Sequence, residues 1–516
     1  MKQCTLWLCA VAFLLHGNTL FAQSCSDCRY VSPVFDSVTV TTVKFGQGER
    51  ANGAMQELYM DIYEPYGDTA TNRPVAVFAF GGAFVTGSRD DWYVVLVCEH
   101  LAKAGYVVAS IDYRIYDDFG ELAAEVAEGL LSGVPYHMRI FFRPMQDMRA
   151  AVQYMKADYA ELGNNYRIDT SRILLGGASS GAITALMVAY CDKESELAEL
   201  GGGNISPITA LGGFNSTTGL YPNYNWNSLA VFQVSGAILN PAWIEPGNIP
   251  VISAHGDADD VVPYKAGAFA GLTFGFFNMY GSYLVDSAAR ANDVCSYLYT
   301  MEGKNHPSED FGIEYIKSVV YRLMLRMHAV VNGRSFCCPL NVSVTADDTI
   351  RYNPAGQEFT VSANITNDNG NAQVQWCSIP CSVNSLAPGI TLQPDTGLHY
   401  LSALCYENNC QSVALEMLKI DSSLVNVSPL TVQPATFTIH PLPAAETVVL
   451  NLSNCKAGEK RLDILDIAGR VVLSETISGQ ANREVVSVKS LSQGSYFANL
   501  ISNTENFQPQ KLLIAK

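Results

Sequence analysis

Positive charge is scarce in this chain of 516 residues, which has 32 lysines and arginines against 49 aspartates and glutamates and a formal net charge of −17. Such an acidic surface repels phosphate groups, so nucleic acids and anionic membranes are not expected as partners. No run beyond the N-terminus approaches the ~20 apolar residues of a membrane-spanning helix.

Cys25-Ser-Asp-Cys28 has zinc-ligand spacing, but no second Cys or His pair follows it at that spacing. We therefore expect no metal and no cofactor, and a structural disulfide there instead.

The first 22 residues have the pattern of an export signal. Lys2 supplies a weak positive start, residues 6–15 form a short apolar run, and Leu20-Phe-Ala22 is a plausible cleavage site. A buried N-terminal helix and lipid attachment at Cys25 remain as alternatives. Of the fourteen cysteines, removal of Cys4 and Cys9 with the signal leaves twelve, an even number that is typical of disulfide-bonded exported chains.

Residues 38–330 alternate strand-like and helix-like segments. Continuous apolar runs at 75–80 and 106–111 indicate buried strands, and residues 145–156 have the spacing of an amphipathic helix. Buried strands between helices are typical of a mostly parallel sheet that is covered on both faces. We predict an α/β domain over residues 23–334.

The pattern changes near residue 335, where short alternating strands separated by Asn, Asp, Gly and Pro replace the helical periodicity. We predict a small immunoglobulin-like β-sandwich over residues 335–428, as a spacer in preference to a glycan-binding module. Disulfides among the cysteines from Cys337 to Cys410 are expected to cross-link it, whereas Cys98 and Cys191 are expected to be buried thiols. A linker containing Ser and Pro then leads to a second all-β unit over residues 434–516.

Gly177-Ala-Ser-Ser-Gly181 is the most informative motif of the chain. It follows an apolar strand and precedes a helix-like segment, which is the setting of a G-x-S-x-G nucleophile elbow. A serine on such a sharp turn presents its hydroxyl to a cleft, and the small residues around it permit the bend. Ser179 is therefore the candidate nucleophile, which needs a base and a third group to orient that base.

Candidates for the base and the orienting acid lie downstream of the nucleophile. A strand at residues 249–254 runs into an acidic loop, where Asp259 is preferred and Asp257 and Asp260 remain rivals, because spacing alone does not decide which carboxylate turns inward. A later strand delivers His306 into a loop, and this histidine is the preferred base. The other histidines of the segment lie in helical patterns or precede the nucleophile or the acid: His100, His137, His255 and His328.

Together these segments resemble the carboxylesterase and lipase branch of the α/β-hydrolase superfamily over residues 38–330. Phe80-Gly-Gly-Ala-Phe84 with Gly87-Ser88 is similar to the H-G-G-G-F…G-S oxyanion block, and Ile111-Asp-Tyr-Arg114 is similar to the D-Y-R block. His255-Gly-Asp-Ala-Asp259 with Val262-Pro263 is similar to the H-G-x-x-D…V-P acid block. All blocks occur in the family order, with the elbow between the second and the third.

The resemblance implies an α/β-hydrolase fold with a catalytic triad of Ser179, Asp259 and His306. It also implies an oxyanion hole formed by the amides of Gly82, Ala83 and Ser180. The chain departs from the family pattern because Phe80 replaces a histidine that helps to hold the oxyanion loop, so we expect this loop to be held differently. Ala83 replaces a glycine, and Ser180 adds a hydroxyl where the family often has alanine.

The last 80 residues resemble the C-terminal sorting domain of the type IX secretion system. The similarity is carried by residues 439–444, 462–472, 491–497 and 511–514. It implies the secretion machinery as a partner, passage through the periplasm of a Gram-negative cell, and a secreted or cell-surface location.

Residues 115–143 form an unusually long stretch, for which we predict a cap or a cleft wall. Four aromatic residues there and near the oxyanion loop are expected to suit an apolar or aromatic acyl group: Phe84, Trp92, Tyr116 and Phe119. The function expected is a secreted serine carboxylic-ester hydrolase. Acylated polysaccharide (acetyl or feruloyl esters) is the first candidate substrate, followed by simple esters and lipids. The alternatives are a serine peptidase of the same fold and an adhesive protein on an inactive hydrolase scaffold.

Overall fold

The computed structural model describes residues 28–268, 278–307 and 311–346, together with shorter segments farther along the chain. Those segments are 359–367, 371–379, 384–385, 389–392, 397–420, 436–440, 444, 446–453, 460–465, 470–477, 483–502 and 510–515. The predicted signal peptide and Cys25 lie outside the described residues. The chain divides into two compact units, Met1–Ser423 and Leu424–Lys516.

The first unit begins with strands and helices in alternation. Its strands up to residue 301 are β1 Val38–Glu49, β2 Met55–Pro65, β3 Arg73–Ala79, β4 Val107–Ile111, β5 Ile168–Ala178, β6 Ala230–Val234, β7 Ala237–Ile238, β8 Val251–Gly256, β9 Ala266–Ala268, β10 Asn278–Gly281 and β11 Ser296–Met301. Its helices are α1 Trp92–Lys103, α2 Phe119–Ser132, α3 Met138–Ala160, α4 Ser180–Tyr190, α5 Glu194–Leu200, α6 Ser206–Ala210, α7 Ser282–Ala291 and α8 Ile313–Val331, and a short 3-10 helix covers Pro241–Trp243.

The main sheet has the order β1-β2-β4-β3-β5-β6-β8-β11 among the described residues. The pairs β1/β2 and β2/β4 are antiparallel, and all pairs from β4 to β11 are parallel. Helices α1 and α8 pack together, as do α3 and α4, so the sheet lies between helical layers. The buried strands predicted from apolar runs correspond to β3 and β4, and the carboxyl ends of the parallel strands meet at one edge.

Helix α3 is longer than the predicted segment and is buried almost throughout, including its polar side chains. Gln146, Arg149, Gln153 and Lys156 recur every three or four residues and therefore share one face. Each donates to a backbone carbonyl of the loop at residues 211–227, at distances of 2.6–2.9 Å. The polar stripe thus binds a loop and does not face solvent.

The remainder of the first unit, here called the middle β unit, comprises β12 Asn341–Ala346, β13 Phe359–Thr366, β14 Gln373–Ile379, β15 Asn384–Ser385, β16 Gly389–Leu392, β17 Gly397–Glu407 and β18 Cys410–Ile420. Its described strands form two antiparallel sheets, β12-β13-β16 and β15-β14-β17-β18. Trp376 of β14 is fully buried in a core between them.

Three disulfides lie within the described residues. Cys338–Cys410 lies in the middle β unit and its entry segment, but Cys28–Cys377 and Cys295–Cys337 join that region to the α/β part of the chain. Cys28 thus pairs across 349 positions of sequence, so the expectation of a bridge local to Cys25 and Cys28 is wrong. Cys98 and Cys191 are buried free thiols, as predicted.

The second unit contains β19 Thr436–His440, β20 Thr447–Ser453, β21 Lys460–Leu465, β22 Val471–Ile477, β23 Arg483–Ser487, β24 Gly494–Ile501 and β25 Gln510–Ile514. Its described strands form two antiparallel sheets, β19-β20-β23 and β22-β21-β24-β25, around an apolar core of their own. In the part of the chain that the structure describes, no helix combines the length and apolarity needed to cross a membrane.

Candidate active site

The elbow forms between β5 and α4 at the carboxyl edge of the main sheet. Ser179 has φ 53° and ψ −121°, a strained conformation for a residue with a side chain. Its amide donates to the carbonyl of Val234 on the neighbouring strand at 2.9 Å, and its carbonyl accepts from Ile183 in the first turn of α4. A Cβ at Gly177 would collide with the backbone of Gly181, so the close crossing of these two glycines permits the turn.

The hydroxyl of Ser179 lies beside the imidazole of His306. Ser179 Oγ is 2.9 Å from His306 Nε2, and His306 Nδ1 is 2.7 Å from Asp259 Oδ2. Because an ionised carboxylate only accepts hydrogen bonds, Nδ1 carries the proton and Nε2 is left to accept the hydroxyl proton of Ser179. The structure therefore brings the three predicted side chains together in the geometry of a nucleophile, a base and an orienting acid.

The loops after β8 and β11 hold Asp259 and His306 in place. Asn305 Oδ1 accepts from the amides of His306 and Asp260, at 2.6 and 3.0 Å, and so joins the two loops. Asp257 accepts from the amide of Gly303 at 2.6 Å and is exposed, as is Asp260. Of the three acidic residues left open by the spacing, only Asp259 reaches His306.

The side chain of Asp259 is fully buried and accepts four hydrogen bonds. Its Oδ1 accepts from the amides of Val261 and Val262, both at 2.9 Å. Its Oδ2 accepts from His306 and also lies 3.2 Å from His255 Nε2. Burial by itself would raise the pKa of Asp259, but hydrogen bonds from His255 and His306 outweigh it and hold the pKa well below its usual range.

His255 is a residue of the site that sequence reasoning set aside. It is fully buried, and its Nδ1 lies 2.7 Å from the hydroxyl of Ser282. Its other ring nitrogen, Nε2, lies 3.1 Å from the carbonyl of Val262 and 3.2 Å from Asp259 Oδ2, so the histidine contacts the acid and not the base. The first position of the H-G-x-x-D block was a signal for it, because that block places a histidine four residues before the acid.

The predicted oxyanion loop lies against the nucleophile. Gly82, Ala83 and Phe84 have successive positive φ values of 138°, 55° and 63°, and a Cβ at Gly81 would approach the Cβ of Ser179 to 3.0 Å. Within the described residues, no group accepts from the amides of Gly82 or Ala83. Ser180 is the first residue of α4, where a helix leaves its amides without internal partners. These amides are available for an anionic ligand atom.

Two tyrosines hold the loop where the family has a histidine. The ring of Phe80 stacks on that of Tyr113 with centroids 4.3 Å apart, and the Tyr113 hydroxyl donates to the carbonyl of Phe80 at 3.0 Å. Ser180 Oγ lies 3.0 Å from the same hydroxyl. Tyr93 Oη accepts from the amide of Gly81 at 2.6 Å, and burial raises the pKa of Tyr93 to about 12. The loop is therefore held by neutral groups.

A cavity of about 620 Å³ opens at Ser179 and His306. Trp92 and Phe119 line it, as expected of the aromatic set. Phe84 and Tyr116 do not: Phe84 packs on Phe141 in the core, and the Tyr116 hydroxyl donates to Glu125 at 2.5 Å. Phe84 thus packs in the core and the Tyr116 hydroxyl is bound to a buried carboxylate, so the expectation that these two aromatic residues line the cavity is wrong. Of the predicted cap helix α2, Phe119 reaches the cavity.

Two family models match the chain. BD-FAE, an esterase-type α/β-hydrolase domain, matches residues 60–126 and 136–210, and the secretion system C-terminal sorting domain matches residues 438–515. The first match includes the oxyanion loop and the elbow, and the acid and the base lie beyond it. The predicted resemblances to α/β-hydrolase esterases and to the sorting domain are confirmed, as is the predicted fold class.

Individual proteins are similar over parts of the chain. Neuroligin-like protein glit-1 of Caenorhabditis elegans is 29% identical over 127 residues, which are 24% of this chain and 15% of that protein. Esterase 2 of Thermogutta terrifontis, phosphorylated by paraoxon, is 18% identical, covers 57% of this chain and 94% of its own, and has a TM-score of 0.37. A truncated carbohydrate esterase from gut microbiota is 17% identical, and the match covers 58% of this chain and 99% of that one, with a TM-score of 0.37.

Proposed function

We propose that this chain is a serine carboxylic-ester hydrolase that works through an acyl-enzyme. The observation that carries the proposal is the hydrogen-bonded series from Ser179 through His306 to Asp259, which stands at the mouth of a cavity. The match to an esterase-type domain over the elbow and the oxyanion loop supports it.

In the first half of the reaction, Ser179 Oγ attacks the carbonyl carbon of the ester while His306 Nε2 takes the hydroxyl proton. Asp259 keeps His306 oriented and stabilises the imidazolium that forms. The amides of Gly82, Ala83 and Ser180 donate to the developing oxyanion. The carbon–oxygen bond to the alcohol then breaks, and His306 gives its proton to the leaving oxygen. In the second half, water loses a proton to His306, attacks the acyl-enzyme and releases the acid.

The site of action proposed is outside the cell. The sorting domain supports export by the type IX secretion machinery, through the periplasm, to the medium or the cell surface. A hydrolase in that location meets polymers, so acylated polysaccharide is the first candidate substrate and simple esters or lipids are the next.

The test is hydrolysis of p-nitrophenyl butyrate by the full chain and by Ser179→Ala, which is expected to lower kcat/KM by about 10⁴-fold or more. Ser235→Ala is a matched control. Ser235 directly follows the neighbouring strand β6, has the same φ of 53°, and within the described residues its buried hydroxyl has no partner. Equal activity of Ser179→Ala and Ser235→Ala would contradict the proposal.

Substrate class is tested on the wild-type chain with acetyl-xylan, feruloylated arabinoxylan and triglyceride side by side. A peptide amide with a matching acyl group tests the peptidase alternative. Turnover of that amide at a rate comparable to the ester would move the assignment from esterase to peptidase.

A further inference from the structure

The cavity at Ser179 extends below the carboxyl edge of the sheet, toward α1 and α8. Phe78 of β3, Gly176 of β5 and Phe232 of β6 are register partners and so lie in one row across the sheet. Gly176 contributes no side chain, and the ring of Phe232 occupies the place where its Cβ would lie. Phe78 and Phe232 form the sheet wall of the cavity.

The opposite wall consists of one stripe from each of two helices. Tyr93, Val97 and Leu101 of α1 are spaced by four residues, and all three line the cavity. Ile316, Val319, Val320, Leu323 and Met327 of α8 also line it. From the first to the last of these α8 residues the helix advances about 16 Å, at 1.5 Å per residue.

The chemistry of the lining changes with depth. Its polar side chains, Thr86, Asp91, Tyr93, Ser179 and His306, belong to the oxyanion loop, the start of α1, the elbow and the base loop, all at the mouth. The strand and helix residues below them are apolar; most are buried, and Ile316 and Val234 are half-buried. An extended acyl chain advances by about 1.2 Å per bond, as an extended backbone does. It would therefore need roughly a dozen bonds to span the length of about 16 Å along α8.

Helix α8 carries the middle β unit on its other side. With about 100° of rotation per residue, Tyr321, Leu325 and His328 are centred roughly 150° from the stripe that lines the cavity. Tyr321 and Leu325 are fully buried in a cluster with Tyr400 and Leu404 of β17. One helix therefore separates the cavity from the middle β unit.

Polar contacts fix this interface. Tyr321 Oη lies 2.7 Å from Ser402 Oγ, and His328 Nδ1 donates to Gln411 Oε1 at 2.9 Å. Gln411 Nε2 donates to the carbonyl of Leu325, also at 2.9 Å. The disulfides Cys28–Cys377 and Cys295–Cys337 hold the middle β unit to the α/β part as well. An apolar contact with buried hydrogen bonds and covalent ties holds α8 in one position.

We propose that the cavity receives an extended apolar acyl group, and that the middle β unit determines which acyl groups fit by fixing α8 as the cavity wall. This inference rests on the proposed ester hydrolysis. The acyl carbon bonded to Ser179 stands at the polar mouth, its tail lies between the sheet and the α1 and α8 stripes, and the alcohol portion faces outward. The middle β unit is then a specificity-determining part of the enzyme.

The first experiment measures kcat/KM for p-nitrophenyl acetate, butyrate, octanoate and laurate. Because a buried methylene contributes up to about fourfold, octanoate is expected to exceed acetate by about 30-fold or more. Leu323→Trp, which fills the cavity midway along α8, is expected to lower the ratio of the octanoate to the acetate kcat/KM at least about tenfold, because the longer acyl group needs the space that the indole would occupy. Ile313→Trp is the control, since Ile313 is exposed on the same helix and does not line the cavity.

The second experiment compares two leucines of β17 that are both buried. Leu404 faces α8, whereas Leu401 faces the core of the middle β unit, because side chains alternate along a strand. Both alanine variants are expected to melt earlier by similar amounts. Only Leu404→Ala is expected to change the octanoate-to-acetate ratio, by about threefold to tenfold, since only it loosens the wall.

The outcomes separate the two levels of the hypothesis. If the wild type hydrolyses acetate in a Ser179-dependent reaction but shows no preference for longer chains, and Leu323→Trp has no effect, the acyl-cavity inference is wrong. Ester hydrolysis would still stand in that case. An unchanged ratio in Leu404→Ala, or an equal change in Leu401→Ala, would overturn the role of the middle β unit. Absence of Ser179-dependent turnover of every ester would overturn the proposed function itself.

Discussion

Asp259 and Asp147 are both buried carboxylates, but the regions around them are built differently. Asp147, on α3, accepts from the backbone amide of Arg114 at 2.7 Å and from its guanidinium at 3.0 Å, and also from the hydroxyl of Thr218. Arg114 is itself 4% exposed. Asp259 instead accepts from two amides and two imidazoles. One carboxylate is neutralised by a permanent cation, and the other is surrounded by neutral donors.

The difference shows how one residue type serves two purposes. The charge of a carboxylate paired with arginine is neutralised by the guanidinium. The pair joins the segment after β4 to α3. A carboxylate held by neutral donors keeps its charge available to a histidine that gains and loses a proton. We therefore expect substitution at Asp259 to affect rate first, and substitution at Asp147 to affect stability first.

The largest effect is expected for Asp259→Asn. The amide cannot hold His306 in the required tautomer, so kcat/KM for a p-nitrophenyl ester should fall by about 10³–10⁴-fold. The free energy of unfolding should fall by only about 1–3 kcal/mol, since the donors left behind are neutral. Steady-state kinetics and a urea titration on the same preparation check both numbers. A variant that keeps more than a tenth of the activity would remove the distinction between the two carboxylates.

Asp147→Asn is expected to act in the opposite sense. It leaves the guanidinium of Arg114 buried without a counter-ion, which should lower the free energy of unfolding by about 3–5 kcal/mol. The folded protein should retain kcat/KM within about threefold of the wild-type value, because a change of that size corresponds to the net free energy of an ordinary hydrogen bond. The measurement is a urea midpoint together with an active-site titration of the folded fraction. A larger loss of stability in Asp259→Asn than in this variant would reverse the comparison.

The smallest effect expected concerns acid stability. The pKa of Asp259 is lower in the folded chain than its ordinary value, so its ionised form stabilises the fold. That contribution is fully present above the unfolded pKa of about 3.9 and is lost as the pH falls from there through the lower folded value. Between pH 5 and pH 3 the wild type should therefore lose more stability than Asp259→Asn. Parallel urea midpoints at the two pH values test this, and equal losses would show that the carboxylate gains nothing from its donors.

The sequence predicted those parts of the site that depend on local spacing. Gly177 and Gly181 around Ser179, between an apolar run and a helix-like segment, specify a strand, a sharp turn and a helix within a dozen residues. The order of the elbow, the acidic loop and His306 along the chain is the one that the resemblance implies, and parallel strands bring these segments together because their carboxyl ends meet at one edge. The predicted change from helical to alternating periodicity near residue 335 also corresponds to the first strands of the middle β unit.

Other features depended on contacts between distant segments. Spacing could not choose Asp259 over Asp257 and Asp260, because that choice depends on Asn305 and on the loop after β11. It could not separate Phe84 from Trp92 either, since a buried aromatic and a cavity-lining one have the same pattern in sequence.

The sequence by itself determined that a serine elbow sits on a mostly parallel sheet, followed by two small β units, of which the second resembles a secretion sorting domain. Only the tertiary structure decided that Cys28 bonds to Cys377 and that α8 has a cavity on one side and β17 on the other. Local backbone preferences act over a few residues, and the spacing of side chains along the sequence therefore indicates them. Packing instead joins surfaces hundreds of residues apart, and the shape of each surface exists only once the chain has folded.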